Sequence, residues 1–309
     1  MIRIFKTVET TIQAIETFEK GCWIHVTSPT SEELHHISEA LQIPMNFLTD
    51  PLDTNERSRI EVDERNVLIV VRIPLFNNEQ DVAFTTLPVG IIYLDDVFLT
   101  VCAQDVEFFD KFMKGRVKNF STQYRCRFIL QIFLKAALRY LTYLKEIDTR
   151  AANIQAELHQ AMKNQELIQL LNLEKSLVFF TTSLRSNELM IERLQKVSII
   201  KFYPEDQEIL EDVMVENKQA LEMANIYSNI LSGMMDAFAS IISNNLNIVM
   251  KFLTSVTIIL ALPTLVASVY GMNVHLPFQE SPHAFALTMG ISFLLAGMSV
   301  FIFIRRKFF

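Results

Sequence analysis

The tripeptide Gly271-Met272-Asn273 ends one apolar run, and a second apolar run begins only a few residues later. A glycine can adopt backbone conformations that end a helix, and an asparagine side chain presents a neutral amide oxygen. Repeated once per subunit around an axis, such oxygens suit a cation that keeps its water. Mg²⁺ dehydrates reluctantly, so a ring of neutral oxygens would hold the hydrated ion without stripping it. Taken alone the tripeptide is a weak signal, because any loop can contain it.

Polar side chains also recur along one face of the segment that leads into the first apolar run. Together with the apolar residues at the same spacing, the set is Asp236, Ser243, Asn247, Met250, Leu253, Thr254, Thr257, Ala261 and Thr264. Hydroxyls and amides inside a bilayer need partners or water. If several copies surround an axis, these groups line a pore. Alternatively, Ser and Thr bond carbonyls of their own helix and Asn247 holds a helix contact, and both interpretations stay open here.

The two apolar runs are long enough to cross a membrane. Residues 252–271 and 284–304 contain no charged side chain, and about 20 residues at 1.5 Å each match a hydrocarbon core of about 30 Å. We predict transmembrane helices over 251–271 and 284–304, an external loop over 272–283 and a basic tail over 305–309. Two spans cannot enclose a permeation path, so a pore made from this chain requires an oligomer.

The flanking charges predict the orientation. Lys251 precedes the first span, Arg305, Arg306 and Lys307 follow the second, and neither Lys nor Arg occurs between them. Basic residues are retained on the cytoplasmic side, so both termini are expected there. The N-terminal residues resemble no secretory signal, which fits a multi-pass protein of a prokaryotic plasma membrane.

Charge and composition exclude several classes of function. Of the net charge of −7, four basic residues and Glu280 give residues 251–309 a charge of +3, so −10 lies in residues 1–250. This acidic part argues against a nucleic-acid partner and is compatible with cations. The sequence shows no nucleophile–base pair, P-loop or zinc-protease spacing, so we expect neither an enzyme nor a nucleotide partner. Three separated cysteines match no metal-ligand spacing.

Residues 1–120 mix strand and helix signals and are predicted to form an α/β domain with a small sheet. Thr30 and Glu33 have capping-box spacing before a helix in SPTSEELHHISEALQI, with Pro29 suited to its first turn. The runs NVLIVVRIPLF, TTLPVGIIYL and VFLTVCA are typical of adjacent antiparallel strands, because turn-forming residues separate them.

Strand signals end near residue 121, and the remainder is predicted to be helical. Antiparallel helices are expected within 121–202, the first near 121–163 and the second near 165–200, followed by a stalk helix over 203–250 that continues into the membrane. Its residues follow a coiled-coil-like heptad repeat, a period of 3.5. One position of the repeat carries Leu210, Asn217, Ala224, Leu231, Phe238, Asn245 and Phe252, and the other carries Val213, Ala220, Tyr227, Met234, Ile241 and Ile248.

The stretch LSGMMDAFASIISNNLNIVMKFLTSVTIILALPTLVASVYGMN, residues 231–273, closely resembles the signature region of the CorA-type magnesium transporters. It has a Tyr-Gly-Met-Asn end to the first span, a preceding proline and an Asn–Met–Lys approach to the membrane. The order of elements matches over essentially the whole chain. The resemblance implies an α+β membrane protein with an N-terminal α/β cytoplasmic domain, a long helical stalk and two C-terminal transmembrane helices, assembled as a homopentameric funnel.

The resemblance also implies roles for pore residues. Gly271, Met272 and Asn273 match the outer selectivity motif, and Asn247 matches a pore-lining asparagine. Met250 and Leu253 match the apolar constriction that gates. Asp236 lies where an acidic ring lines the cytoplasmic entrance. The family implies a passive Mg²⁺ channel that mediates influx through the bilayer.

Regulation is implied at a second place. Asp212 occupies the position of a stalk aspartate that binds regulatory Mg²⁺ between subunits, and bound intracellular Mg²⁺ favours the closed state. Its partner would come from the N-terminal domain, where Glu79 and Asp81 in the turn FNNEQD are the candidates.

Two alternatives to a magnesium channel remain. A zinc-transporting branch shares this layout, so the transported ion could instead be Zn²⁺, Co²⁺ or Ni²⁺, with proton coupling possible in principle. The loop after the motif offers only Glu280 as an acid, together with His275 and His283, which are most simply ordinary loop residues. The second alternative is a non-conducting, membrane-anchored coiled-coil scaffold, in which the polar side chains only mediate contacts between helices.

Overall fold

The computed structural model describes residues 1–63, 66–160, 164–197, 199–200, 202–274, 277 and 282–306. The chain divides into two compact units, Met1–Gly233 and Met234–Phe309. Of the residues discussed for the loop and tail, His275, Glu280 and Lys307 lie outside the described residues.

The first unit is built on a seven-stranded mixed sheet. Its strands are β1 (Ile2–Val8), β2 (Thr11–Ile15), β3 (Cys22–Thr27), β4 (Arg59–Asp63), β5 (Asn66–Phe76), β6 (Phe84–Tyr93) and β7 (Phe98–Cys102). Their spatial order is β2-β1-β3-β7-β6-β5-β4. Strands β3 and β7 pair in parallel, whereas the other neighbours pair antiparallel.

Both faces of this sheet are covered, so the unit has three layers. Alternate residues of β5 show this, because Val67 and Ile69 belong to one buried cluster and Leu68 and Val70 to the other. Helices α1 (Ser31–Leu41) and α2 (Met45–Thr49) supply side chains to the second cluster. The short helix α3 (Asp110–Met113) and the long helices supply the first. Burial on both faces explains why β5 is apolar at consecutive positions.

The predicted strands are confirmed, but the sheet is larger than expected. The three apolar runs coincide with β5, β6 and β7, and these are antiparallel neighbours. The prediction of a small sheet missed β1 to β4. Strands β2 and β4 lie at the sheet edges and are only partly buried, so their sequences lack a continuous apolar run.

The predicted capping box of α1 is confirmed. The hydroxyl of Thr30 accepts a hydrogen bond from the Glu33 amide at 3.2 Å, and the Glu33 carboxylate accepts one from the Thr30 amide at 2.9 Å. This pair holds the pKa of Glu33 below its usual range, chiefly through the bond from the Thr30 backbone. Pro29 precedes the cap and does not lie in the first turn as predicted.

Three long helices follow the sheet, as predicted, with somewhat shorter bounds. They are α4 (Arg125–Gln160), α5 (Asn164–Leu194) and α6 (Gln207–Tyr270). Helix α4 begins after Thr122, whose amide and hydroxyl exchange two 3.0 Å hydrogen bonds with Thr7 of β1. Helix α5 ends before Ile200, which is buried in the core. In the second unit α6 continues to Tyr270, and α7 spans Ala284–Arg305.

A half-buried arginine joins the sheet to α5. The guanidinium of Arg72 on β5 donates to the hydroxyls of Thr86 and Ser183 at 3.0 and 3.2 Å. The Asn187 side chain on α5 accepts from the Arg72 amide at 3.1 Å and donates to the Arg72 carbonyl at 2.9 Å. Desolvation lowers the pKa of Arg72. The oxygens that accept hydrogen bonds from the guanidinium therefore stabilise its charge.

Replacing Asn187 with Ala should therefore destabilise the first unit by about 2 kcal/mol. The change leaves the Arg72 amide without a partner and removes one of two donors to the Arg72 carbonyl, which keeps the Tyr140 hydroxyl at 3.1 Å. Fluorescence of Trp23, the only tryptophan and fully buried in the same unit, reports the unfolding of the full-length protein in detergent. Gln155→Ala on the exposed surface of α4 is the control and should shift the transition little. Equal shifts for both variants would contradict this role of Asn187.

Candidate ion pathway

Helix α6 changes its environment along its length. The first heptad position is buried at Leu210, Asn217, Ala224 and Leu231, which are at most 4 % exposed. Asn217 also donates to the Leu184 carbonyl of α5 at 3.1 Å. At Phe252, one of the last members of the repeat, the side chain is 54 % exposed. The heptad seam is therefore a packing seam within the first unit, and it has no equivalent cover in the apolar end of the helix.

The predicted pore residues on α6 are all exposed in the single chain. They are Asp236, Ser243, Asn247, Met250, Leu253, Thr257 and Thr264. On the opposite face, Ser255 and Val266 are buried, at 1 % and 9 % exposure. At 100° per residue Thr264 lies about 180° around the helix from Ser255. Every residue from 242 to 254 is exposed, so a covered side is marked only by Ser255 and Val266, and we call the side of α6 away from them the open face.

Five residues of this open face are spaced seven apart, namely Asp236, Ser243, Met250, Thr257 and Thr264. In a straight α-helix a seven-residue repeat drifts by about 20° per heptad. Such a repeat keeps facing one axis when neighbouring helices coil around each other with a left-handed twist. The spacing therefore favours a bundle of α6 helices around a common axis.

The hydroxyls of the apolar segment donate to their own helix. Thr254, Thr257 and Thr264 donate to the carbonyls four residues earlier at 2.7, 2.8 and 3.0 Å. The alternative interpretation given above, in which Ser and Thr bond carbonyls of their own helix, expected these bonds. Each oxygen nevertheless keeps acceptor capacity, because a hydroxyl donates once and accepts through two lone pairs. The open face therefore presents acceptors whose own protons are already used.

The end of α6 differs from the backbone geometry that the sequence suggested. Gly271 does not adopt a positive φ, and its amide donates to the Ala267 carbonyl at 2.9 Å. A Cβ at this position would lie 3.2 Å from the same carbonyl oxygen, which is tighter than an ordinary contact. Glycine is therefore favoured by a close approach of backbone and not by a left-handed conformation. Asn273 is exposed, with no hydrogen-bond partner for its side chain among the described residues.

The second apolar helix, α7, also bonds its polar groups internally. Thr288, Ser292 and Ser299 donate to carbonyls of α7 at 2.8 to 2.9 Å. Both α6 and α7 are long and apolar enough to cross a membrane. Arg305 and Arg306 lie at the end of α7, where the sequence placed the basic tail.

The predicted regulatory residues lie on the surface of the first unit. Asp212 is exposed on α6, and Glu79 and Asp81 are exposed in the turn between β5 and β6. Asp81 lines a cavity of about 450 Å³ together with Glu157 of α4, whereas Glu79 is not among the residues that line it. Among the described residues of the single chain, no group of three or more His, Cys, Asp or Glu side chains is placed to hold a metal ion.

Sequence reasoning missed Glu157 as a neighbour of the Asp81 cavity. The two carboxylates are far apart in the chain, and no spacing signal connects a turn in the sheet to the end of α4. Arg150 also lines this cavity, but it is already engaged by Glu146 at 2.7 Å and by the rings of Phe76 and Phe84. The lining also includes the amide side chains of Asn153 on α4 and of Gln169 and Asn172 on α5.

The fold and these sites define an α+β membrane protein with two C-terminal apolar helices and a short motif-bearing connection between them. The model of the family described as CorA-like Mg²⁺ transporter protein matches residues 18–306. The chain belongs to this family.

Individual relatives agree with the family match. The cobalt/magnesium transport protein CorA of Methanocaldococcus jannaschii is 29% identical over 288 residues, which cover 92% of this chain and 90% of that protein. The protein of the same description from Thermotoga maritima is 21% identical, covering 99% and 88%. The complete structure of the CorA magnesium transporter from M. jannaschii superposes with a TM-score of 0.84 at 26% identity, covering 99% of this chain and 98% of that one.

Cysteine accessibility distinguishes a water-filled stripe from a helix-packing stripe. In membranes, Thr257→Cys should react with a water-soluble, membrane-impermeant thiol reagent, whereas Ser255→Cys on the covered face should not. The three native cysteines are buried and should remain unreactive, so the wild-type chain provides the background. Protection of both engineered cysteines in the presence and absence of Mg²⁺ would show that the stripe faces protein or lipid.

Proposed function

We propose that several copies of this chain form a channel through which Mg²⁺ crosses the cell membrane passively. The observation that carries the proposal is the open face of α6, where a seven-residue series runs from Asp236 to Thr264 and includes the acceptor hydroxyls of Thr257 and Thr264. Asn273 follows shortly after the end of the helix. Family membership and the names of the relatives support Mg²⁺ as cargo and Co²⁺ as a second permeant ion.

The chemistry of the open face suits a hydrated cation. Water in the shell of Mg²⁺ points its hydrogens outward, and the Thr257 and Thr264 oxygens accept hydrogen bonds because their own protons are bonded to the helix. Asn273 adds an amide oxygen per subunit at the mouth. Met250 and Leu253 provide an apolar ring, where dewetting stops ions in the closed state. Asp236 provides a ring of charge at the cytoplasmic entrance.

The number of copies is part of the proposal. One chain supplies two spans, so α6 helices from several subunits must surround the path, and we infer the homopentamer that the family resemblance implies. We place residues 272–283 outside the cell and both termini in the cytoplasm, as the Lys and Arg distribution favours. A membrane potential of 100 mV then drives a divalent cation inward with about 4.6 kcal/mol.

Asn273→Ala should abolish Mg²⁺ uptake into proteoliposomes that contain a Mg²⁺-sensitive dye, because the amide ring at the mouth is lost while the helices are unchanged. Gel filtration should give the same oligomer for variant and wild type. Asn46→Ala, an exposed asparagine of α2, is the matched control and should retain full uptake. Normal flux through Asn273→Ala would remove the motif from the mechanism.

The same vesicles test the ion and the class of protein. We expect Co²⁺ to enter and to compete with Mg²⁺. Uptake of Zn²⁺ or Ni²⁺ without uptake of Mg²⁺, especially under a pH gradient, would show that the chain transports transition-metal ions instead. A monomer or dimer with no flux of any ion would favour the scaffold.

We further propose that cytoplasmic Mg²⁺ closes the channel by binding between subunits. Asp212 of one subunit would share the ion with Asp81 of its neighbour, and Glu79 is the less favoured partner because it lies outside the Asp81 cavity. Glu157 and the amide groups of that cavity add oxygen atoms for the water around the ion. A site with few direct ligands binds weakly, which suits a sensor of free Mg²⁺.

Asp212→Asn should raise the Mg²⁺ concentration that protects the first unit from proteolysis by about fivefold or more, because the coupling between ion and closed state is reduced. Glu211→Gln removes the adjacent exposed carboxylate and serves as the control. Asp81→Asn should resemble Asp212→Asn. Unchanged protection in both aspartate variants would place the sensor elsewhere.

A further inference from the structure

A second, larger cavity lies in the first unit, away from the predicted pore and regulatory residues. It has a volume of about 760 Å³ and is bordered by the segment 107–119, by α4 and by Ile209 near the start of α6. Ligand sites in proteins typically measure about 300 to 1,000 Å³. Its apolar lining includes Phe112, Leu134 and Leu138.

The charged side chains around this cavity are mostly of one sign. Lys111, Arg116, Lys118, Lys135 and Arg139 face a single carboxylate in the lining, that of Glu107. Among the described residues none of these five cations forms an ion pair, although the unit as a whole is acidic. Lys114 in the same segment shows the contrast, because it lies outside the lining and pairs with Asp110 at 2.6 Å.

Lys135 is the most enclosed of these cations. Its ammonium group donates to the Phe108 carbonyl and lies 4.9 and 4.6 Å from the ring centres of Phe108 and Phe112. Burial, together with the charges of Arg139 and Lys111, lowers the pKa of Lys135 to about 8. An anion in the cavity would relieve this repulsion.

A buried acceptor without a partner borders the same cavity. Gln131 is 9 % exposed, and its amide nitrogen donates to the Lys118 carbonyl at 3.0 Å. Its Oε1 is buried and accepts no hydrogen bond from the described residues. A buried acceptor left unpaired is costly, so its presence beside a ligand-sized cavity indicates a ligand that donates an N–H or O–H group.

We propose that this cavity binds a purine nucleoside phosphate. Arg and Lys side chains bind phosphate oxygens, which accounts for the unpaired cations. We assign the planar base to the apolar lining, where its N–H groups would supply the donor that Gln131 Oε1 lacks. No nucleotide motif marks this site in the sequence, because its residues come from a short segment, a long helix and Ile209. The site is independent of the proposed ion pathway.

Equilibrium dialysis of labelled AMP against the full-length protein in nanodiscs, in metal-free buffer, tests the proposal. We expect saturable AMP binding, with adenosine and inorganic phosphate each binding at least about tenfold more weakly, because each lacks one set of contacts. GMP should compete with AMP. Phosphate binding as tight as AMP binding would show that the site recognises only an anion. Adenosine binding as tight as AMP binding would show that the cations do not contribute. Either result overturns the proposal.

Variants locate the binding. Arg116→Gln with Lys118→Gln removes two exposed cations of the cavity and should weaken AMP binding about tenfold or more. Lys114→Gln with Lys145→Gln removes two cations outside it and should leave binding unchanged. Gln131→Met should reduce AMP binding to the level of phosphate. Circular dichroism should show that this variant is folded, because the change also removes the bond from Gln131 Nε2 to the Lys118 carbonyl. AMP binding that survives both cavity variants, or no AMP binding at all, refutes the assignment.

Discussion

The interaction on which the candidate ion pathway depends is a hydrogen bond within one helix turn. In the apolar segment of α6, Thr254, Ser255, Thr257 and Thr264 each donate to the carbonyl four residues earlier. The bond removes the cost of an unpaired donor in an apolar environment, and it leaves the oxygen able to accept. The same local bond therefore makes the helix compatible with a bilayer and makes one of its faces compatible with a hydrated cation.

Helix α6 combines two different patterns in one continuous element of 64 residues. From Leu210 to Leu231 the heptad seam is buried, and Asn217 on that seam is bonded to the backbone of α5. A second heptad series, from Asp236 to Thr264, lies off this seam and is open. Buried seam residues need no additional subunit, whereas the open series gains a role only when copies of the helix face one another. In the proposed channel, the first pattern would serve the folding of one chain and the second the assembly of subunits.

The Arg and Lys side chains of the acidic first unit differ in the groups that contact them. Arg72 is half-buried, and its guanidinium donates to hydroxyl and carbonyl oxygens. Arg150 lies over two aromatic rings and is paired with Glu146. The cations around the large cavity form no ion pair among the described residues, although Lys135 and Arg139 have hydrogen-bond and aromatic partners. The net charge does not distinguish cations that form ion pairs from cations that do not, because it counts both alike.

Much of the architecture could be predicted because it depends on local patterns. The capping box of α1, the consecutive apolar residues of β5 and the two uncharged runs at the C-terminal end each identify their element through nearest neighbours in the chain. The four missed strands show the limit of such patterns. Strand β3 is short, and the edge strands β2 and β4 are only partly buried, so the hydrogen bonds of the sheet decide their structure.

The sequence by itself determined the order of the elements, the two apolar helices, the spacing of the stripe and membership of a family that the motif after Tyr270 already indicated. Only the tertiary structure decided which side chains meet across long separations. It placed Glu157 and Asp81 in the lining of one cavity, left Gln131 Oε1 unpaired in a lining that also holds five cations, and brought the Ala267 carbonyl close to Gly271. The physical reason is that burial and pairing are properties of neighbours in space, and the chain brings those neighbours together only by folding.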